Sequence, residues 1–229
     1  MNRIPFTVLY EDNHVLVVRK PEHIPVQADS SGDTDLQEML KSYIGRKFNK
    51  PGNVFLGIVH RLDRPVGGVM VFARTSKSAS RLSDEMRRNA MDKTYWAIVE
   101  GVPAESGSMR HWLIKNERTN MVTASTREVT GSKEAVLYYK TLQSNGTLSL
   151  VEIDLETGRP HQIRVQFLAS GHPLWGDQRY NKQARPGQDI ALFAKSLAFT
   201  HPTSKERMRF DVPIPDREPW NLFKKTSGK

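Results

Sequence analysis

HRLDRPVGGVMVFAR, residues 60–74, decides how this chain is read. One carboxylate, Asp63, stands among His60, Arg61, Arg64 and Arg74, and a glycine pair with an apolar run follows at once. GVMVFA is apolar at every position, the pattern of a strand buried on both faces, and VFLGIVH just before it has the same character. Asp63 is therefore expected in the connection between two buried strands, where a rigid frame can hold a loop residue in place.

On the N-terminal side, FTVLYEDNHVLVVRK reads as two β-rich segments, Phe6 to Tyr10 and His14 to Arg19, joined by the turn formers Asp12 and Asn13. A helix is expected from about Asp33 to Arg46, with Leu36, Met39, Leu40, Tyr43 and Ile44 on its apolar stripe. On the C-terminal side, Thr75 or Ser76 caps an amphipathic helix, SKSASRLSDEMRRN. Strands are expected at KTYWAIVEG, MRHWLIK, NMVTAS, KEAVLYYKTLQ and, after an Asn145-Gly146 turn, TLSLVEIDLET. RPHQIRVQFLASG is a short helix with Pro160 suited to its first position and Gly171 to its end. Two more strands, ALFAKSLAFTHP and MRFDVPIP, close the chain. No repeat, low-complexity tract or linker interrupts it. The simplest account is one α+β domain over 1–215, built on a large mixed, mainly antiparallel sheet flanked by helices, and a basic tail over 216–229.

Composition removes several classes of function. The chain has 229 residues and no cysteine, which excludes disulfide frameworks and Cys-based zinc sites. The seven histidines, at 14, 23, 60, 111, 161, 172 and 201, lack the short spacings of a zinc helix, so no metal is expected. No apolar run approaches the roughly 18 residues of a membrane span, and the N-terminus lacks a cleavable apolar leader, as expected of a cytoplasmic protein. Lysine and arginine outnumber aspartate and glutamate by 34 to 25, a net charge of +9. Between Lys41 and Ser83 nine basic residues face a single acid, Asp63. Gathered on one face they would attract a polyanion such as RNA; scattered, they would only solvate the surface.

Two constellations can carry chemistry. A carboxylate in a water-poor pocket needs a nearby cation to offset its desolvation, and a charged carboxylate held that way can act as a nucleophile. The helix at 160–170 puts His161 and Arg164 on one side, with Ile163, Phe167 and Leu168 directed the other way, and so displays a guanidinium.

The stretch around Asp63 resembles the HRLD signature of RluA-type pseudouridine synthases. VLYEDNHVLVVRKP, KTYWAIVEG, GRPHQIRVQFLASGHPLWGDQRY and LAFTHP extend the resemblance, in the same order, over roughly residues 6–215. The resemblance implies a pseudouridine-synthase-like fold and an enzyme that isomerises uridine in a ribosomal or transfer RNA stem-loop; for oligomeric state, a monomer is the default expectation. Asp63 would attack the target uridine, whose base detaches, rotates and rejoins its ribose through carbon. Tyr95 matches a tyrosine that stacks on the uracil, and Arg164 matches the basic residue paired with the catalytic aspartate. His60, Arg61 and Arg64, together with Arg159, His161 and Gln162, are the implied RNA-binding residues, Arg61 matching an arginine that fills the gap left by the flipped base. Isomerisation needs neither water nor a redox group, so no cofactor is expected.

This sequence departs from the pattern in two places. Many relatives have Thr-Ser-Gly after HRLDR, where Val66-Gly67-Gly68 stands here, and Phe193 occupies a position often held by histidine. The small N-terminal RNA-binding domain of many relatives is also expected to be missing. A rival reading is an RNA-binding or ribosome-assembly protein of the same fold with little catalysis. A hydrolase is a poorer match, because a typical glycosidase needs two opposed carboxylates and the signature supplies one.

Overall fold

Turn chemistry sets the first hairpin of the computed structural model, which describes residues 5–223. Thr7–Glu11 (β1) pairs antiparallel with Val15–Lys20 (β2). Asp12 closes the turn by accepting the N–H groups of His14 and Val15, both at 2.7 Å. Leu36–Lys47 (α1) starts at Asp35, whose carboxylate accepts the Glu38 N–H at 2.9 Å, an N-cap that satisfies an otherwise orphaned donor. Leu36, Leu40 and Ile44 form its buried stripe, as the spacing predicts, while Met39 and Tyr43 lie half-buried at its margin.

The expectation of two long buried strands around Asp63 holds for one of them. Gly67–Ala73 (β4) is buried at all seven positions and pairs with β2 from Val15↔Ala73 to Lys20↔Gly68. The other strand is only Gly57–Ile58 (β3), bridging Ala73 and Phe72. Phe55, read as part of a buried strand, is 50% exposed. With so few ladder partners, the remaining apolar residues of VFLGIVH form loop. Thr75 then caps Ser76–Arg87 (α2) by accepting the Ser78 N–H at 3.1 Å, and Leu82 is the helix's fully buried apolar anchor.

The chain divides into two compact units: residues 1–93 with 194–212, and 94–193 with 213–229. Asp92–Glu100 (β5) begins in the first and continues in the second. Within the second unit β5 pairs with Leu148–Leu155 (β9), β9 with Lys133–Ser144 (β8), β8 with Ser106–Asn116 (β6) and β6 with Met121–Ser125 (β7), all antiparallel. Asn145 makes the β8–β9 turn, its Oδ1 accepting the N–H groups of Thr147 and Leu148.

Gln162–Ala169 (α3) differs from expectation at its start. Pro160 lies ahead of the helix, and His161 is the N-cap residue, in the left-handed region at φ 53. Its end is as expected: Gly171, at φ 83, lets its own N–H reach the Leu168 carbonyl and that of His172 reach the Phe167 carbonyl. Val165 of α3 packs with Leu113, Val122, Ala135 and Tyr180 in one buried cluster. Leu168, expected to anchor the helix, is instead 40% exposed, because α3 buries six consecutive residues from Gln162 to Phe167 rather than a stripe.

Leu192–Thr200 (β10) and Arg207–Asp211 (β11) form the last antiparallel pair. Eleven strands and three α-helices among the described residues make the fold α+β, with a large and mainly antiparallel sheet. The expected tail at 216 begins as packed structure: Trp220–Phe223 is a 3-10 turn with Trp220 fully buried and ringed against Phe193. The basic KKTSGK segment lies outside the described residues.

Candidate active site

In the first unit, Asp63 lies half-buried in the loop between β3 and β4. Its carbonyl accepts the Val66 N–H at 2.9 Å, folding 63–66 into a turn, and Leu62 is buried beside it. A residue that sequence reasoning missed holds this turn. Lys20, at the end of β2, has no exposed surface, and its ammonium donates to the carbonyls of Pro21, Arg64 and Val66 at 2.9, 3.0 and 2.8 Å. Three N–H donors thus meet three acceptors, two of them in the loop that carries Asp63. Burial pushes the Lys20 amine down to about 7, the negative charges of Glu22 and Asp63 acting the other way. In the sequence, Lys20 reads only as a charge closing an apolar strand.

His60 is turned inward. Its Nε2 accepts the Val71 N–H of β4 at 3.1 Å. Burial, with a smaller contribution from the Lys93 charge, pushes the imidazole down to about 4 and keeps it the neutral acceptor this bond requires. Arg61 is exposed. Arg64, also expected at RNA, pairs with Asp33 and donates from Nε to the His23 carbonyl at 3.1 Å, with Asp29 3.6 Å away. Much of the basic run is similarly committed: Lys41 pairs with Glu38, and Lys47 and Arg74 both pair with Glu11.

Gly68, just past the loop, sits at φ 128, where a Cβ would fall 2.2 Å from the Ala194 carbonyl oxygen. Nothing but glycine fits so close an approach of two backbones.

In the second unit, Tyr95 is half-buried on β5 opposite Ile153 of β9. Arg164 is not displayed on a surface helix: it is 6% exposed and forms a two-point fork with Asp177, Nε to Oδ2 at 2.8 Å and Nη2 to Oδ1 at 2.7 Å. Asp177, itself buried, is the second residue that the sequence did not reveal, thirteen positions downstream with no periodic signal linking the two. Tyr180 adds a flat face, its ring centroid 5.0 Å from the guanidinium carbon.

The remaining predicted residues gather around the start of α3. His161 Nδ1 lies 2.6 Å from the Tyr180 hydroxyl, which also accepts the Val122 N–H at 2.9 Å. Gln162 is buried, accepting from Thr157 Oγ1 and the Arg159 N–H and donating to the Val136 carbonyl. Arg159 donates from Nε to the Glu134 carbonyl at 2.9 Å. The structure thus brings Arg159 and Gln162 together, and His161 and Arg164 around Tyr180. Among the described residues no cluster of three or more His, Asp or Glu is placed to hold a metal, and no helix is long and apolar enough to cross a membrane.

The first unit thus holds the Asp63 loop through a buried lysine, and the second holds a buried guanidinium fork. The RNA pseudouridylate synthase family model matches residues 14–169. A protein of Zymomonas mobilis named ribosomal large subunit pseudouridine synthase D is 33% identical over 93% of this chain and 70% of its own length. An uncharacterized RNA pseudouridine synthase of Bacillus subtilis is 33% identical over 91% of this chain and 68% of its own. The solved human RNA pseudouridylate synthase domain containing 4 superposes with a TM-score of 0.77 at 22% identity, covering 92% of this chain and 89% of that one, and so shares the fold. The chain belongs to the RNA pseudouridylate synthase family.

Proposed function

We propose that this enzyme isomerises uridine in structured ribosomal RNA, in the cytoplasm, with Asp63 as the nucleophile. The observation that carries the reading is the Lys20 hold on the Asp63 loop, because a buried cation that fixes two backbone carbonyls of that loop gives its aspartate the rigid frame a positioned nucleophile requires. Ribosomal RNA is favoured over transfer RNA by the names of the relatives from Zymomonas mobilis and Haemophilus influenzae, both ribosomal large subunit synthases.

In this reading the uridine leaves its stack, which costs a few kcal/mol, and exposed Arg61 offsets part of that cost from the RNA side. Asp63 attacks the ribose carbon as its bond to N1 breaks, the base turns, and C5 bonds to that carbon as the aspartate leaves. C5 loses its proton and N1 gains one, so the reaction balances without water, oxidant or metal. Tyr95 stacks on the base; a phenol is mostly protonated at neutral pH and is a weak base without further activation, so stacking is its main role. Arg164, which the resemblance matches to the basic residue paired with the nucleophile, is held in place by its fork with Asp177.

The test is tritium release from ribosomal RNA labelled at C5 of uracil, with wild type and Asp63→Asn side by side. Turnover is expected to fall by at least about 10³-fold in the variant with RNA affinity within a few-fold. Unchanged release by a clean Asp63→Asn preparation would remove the assignment. RNA binding without release by wild type would favour a non-catalytic RNA-binding protein.

A further inference from the structure

Away from the Asp63 loop, the first unit has a groove of 760 Å³ lined by α2 and by the turn that follows β10. Arg81, Arg87, Arg88 and Lys205 line it, against the carboxylates of Asp84 and Glu85. Glu85 is buried and occupied, its Oε1 accepting the Thr200 N–H at 2.7 Å and Arg207 Nη1 at 2.9 Å. A single exposed acid, Asp84, is therefore shared by Arg87 and Arg88, whose side chains remain 80% and 63% exposed.

The opposite rim is organised by main chain. The Pro202 carbonyl accepts from both Arg81 Nη1, at 2.6 Å, and Lys205 Nζ, at 3.2 Å. The turn itself is built on buried His201, whose Nε2 lies 2.9 Å from Asp12 Oδ2 and whose Nδ1 lies 2.9 Å from the Ser204 N. Lys205 is held at φ 67, a conformation that a non-glycine residue keeps only where its surroundings impose it. These contacts hold Arg81 and Lys205 at the rim, while Arg87 and Arg88 stay exposed beside Asp84.

Phosphate fits this groove better than a protein side chain does. Guanidinium forks match phosphate oxygens two at a time. No Phe, Tyr or Trp lines the groove, so it offers neither a stacking face for a base nor the aromatic anchor of a protein interface. Its distance from the candidate nucleophile is also informative. Ala194 stands against Gly68, just past the Asp63 loop. β10 then runs from Ala194 to Thr200 at the groove, roughly 20 Å at the usual strand rise.

We propose that this groove is a second RNA-contact site, which grips the sugar-phosphate backbone of the substrate roughly 20 Å along the sheet from the Asp63 loop. It rests on the reading of structured RNA as substrate. A stem-loop of only three or four base pairs around the target uridine, about 10 to 14 Å at about 3.4 Å per step, would not reach it, whereas a longer folded RNA would.

The experiment compares wild type, the triple variant Arg87→Gln/Arg88→Gln/Lys205→Asn and the single variant Asp84→Asn on deproteinised ribosomal RNA and on a short stem-loop cut from around the modified uridine. On the long RNA the triple variant is expected to raise KM about tenfold with kcat unchanged and to flatten the salt dependence of binding by about 0.7 to 0.9 per lost phosphate contact. On the stem-loop it should match wild type. Asp84→Asn frees two guanidiniums and should lower KM on the long RNA. Wild-type KM and salt slope for the triple variant would overturn the site, leaving the cations to solvation or an acidic protein. Failure of the substrate reading looks different: wild type then releases no tritium from any RNA, while loss of salt-dependent binding in the triple variant would still support the groove.

Discussion

Lys20 in the first unit and Arg164 in the second are both almost wholly buried, yet different chemistry satisfies them. Lys20 meets three carbonyl dipoles, and Arg164 meets the full charge of Asp177 in a two-point fork. Dipoles satisfy an ammonium's hydrogen bonds while leaving much of its charge uncompensated, so its proton is loosely held. A guanidinium keeps its charge at any pH at which proteins fold, and opposite a carboxylate it becomes a permanent strut. The lesson is a division of labour. The lysine clamps backbone and fixes where a loop lies; the arginine fork fixes where a guanidinium lies.

The harshest way to break this comparison is to remove the strut's anion. Asp177→Asn strands a buried charge and is expected to destabilise the protein by about 3–5 kcal/mol in urea titration. A loss under about 1 kcal/mol would mean that Arg164 does not depend on this partner. Next comes Lys20→Met, which keeps the apolar stem and orphans three carbonyls while removing an uncompensated charge. About 2 kcal/mol should be lost. Turnover should fall further than stability implies, by about 10²-fold, if the clamp positions Asp63. Equal small losses in both would make Lys20 a packing residue only.

The pH dependence sharpens the contrast. The folded protein holds the Lys20 proton less tightly than the unfolded chain does, with its amine near 7 rather than at the ordinary lysine value. Between those two values the unfolded chain binds more protons, so this group's contribution to stability rises as pH climbs from about 7 and levels off below it. Subtracting the Lys20→Met unfolding curve from that of wild type should leave a positive slope of at most about 1.4 kcal/mol per pH unit between roughly pH 7 and 9.5. A flat difference would show that the three carbonyls keep the ammonium fully charged. The smallest effect is expected from Tyr180→Phe, which retains the face against Arg164 and deletes the hydroxyl that serves Val122 and His161, for about 1 kcal/mol. A loss matching that of Asp177→Asn would place the hydroxyl, not the fork, at the centre of this cluster.

Most elements could be read from the sequence because their periodicity survives folding. Leu36, Leu40 and Ile44 mark α1, the unbroken apolar run marks β4, and Asn145-Gly146 marks a turn. VFLGIVH misled because an apolar run carries no information on how many ladder partners it will find, and β3 found two. The start of α3 misled because Pro160 is suited to a first helical turn, while left-handed His161 moves that turn two residues on. Asp63 itself could be picked out by its charged surroundings and by family resemblance. Its support could not: Lys20 is separated from the two loop carbonyls it holds by more than forty residues, and Asp177 sits in an irregular segment with no pattern pointing to Arg164. Partnerships across such separations are products of the fold, and strand and helix periods do not encode them.

The approach of Gly68 to Ala194 bears on how this signature can vary. With a Cβ excluded at 2.2 Å from a carbonyl oxygen, position 68 has an alphabet of one letter, while the two positions before it, both buried, answer only to packing. Thr-Ser-Gly in many relatives and Val-Gly-Gly here agree in that third letter alone. A saturation library across residues 66–68 should therefore return several residues of fitting size in the first two columns and glycine alone in the last.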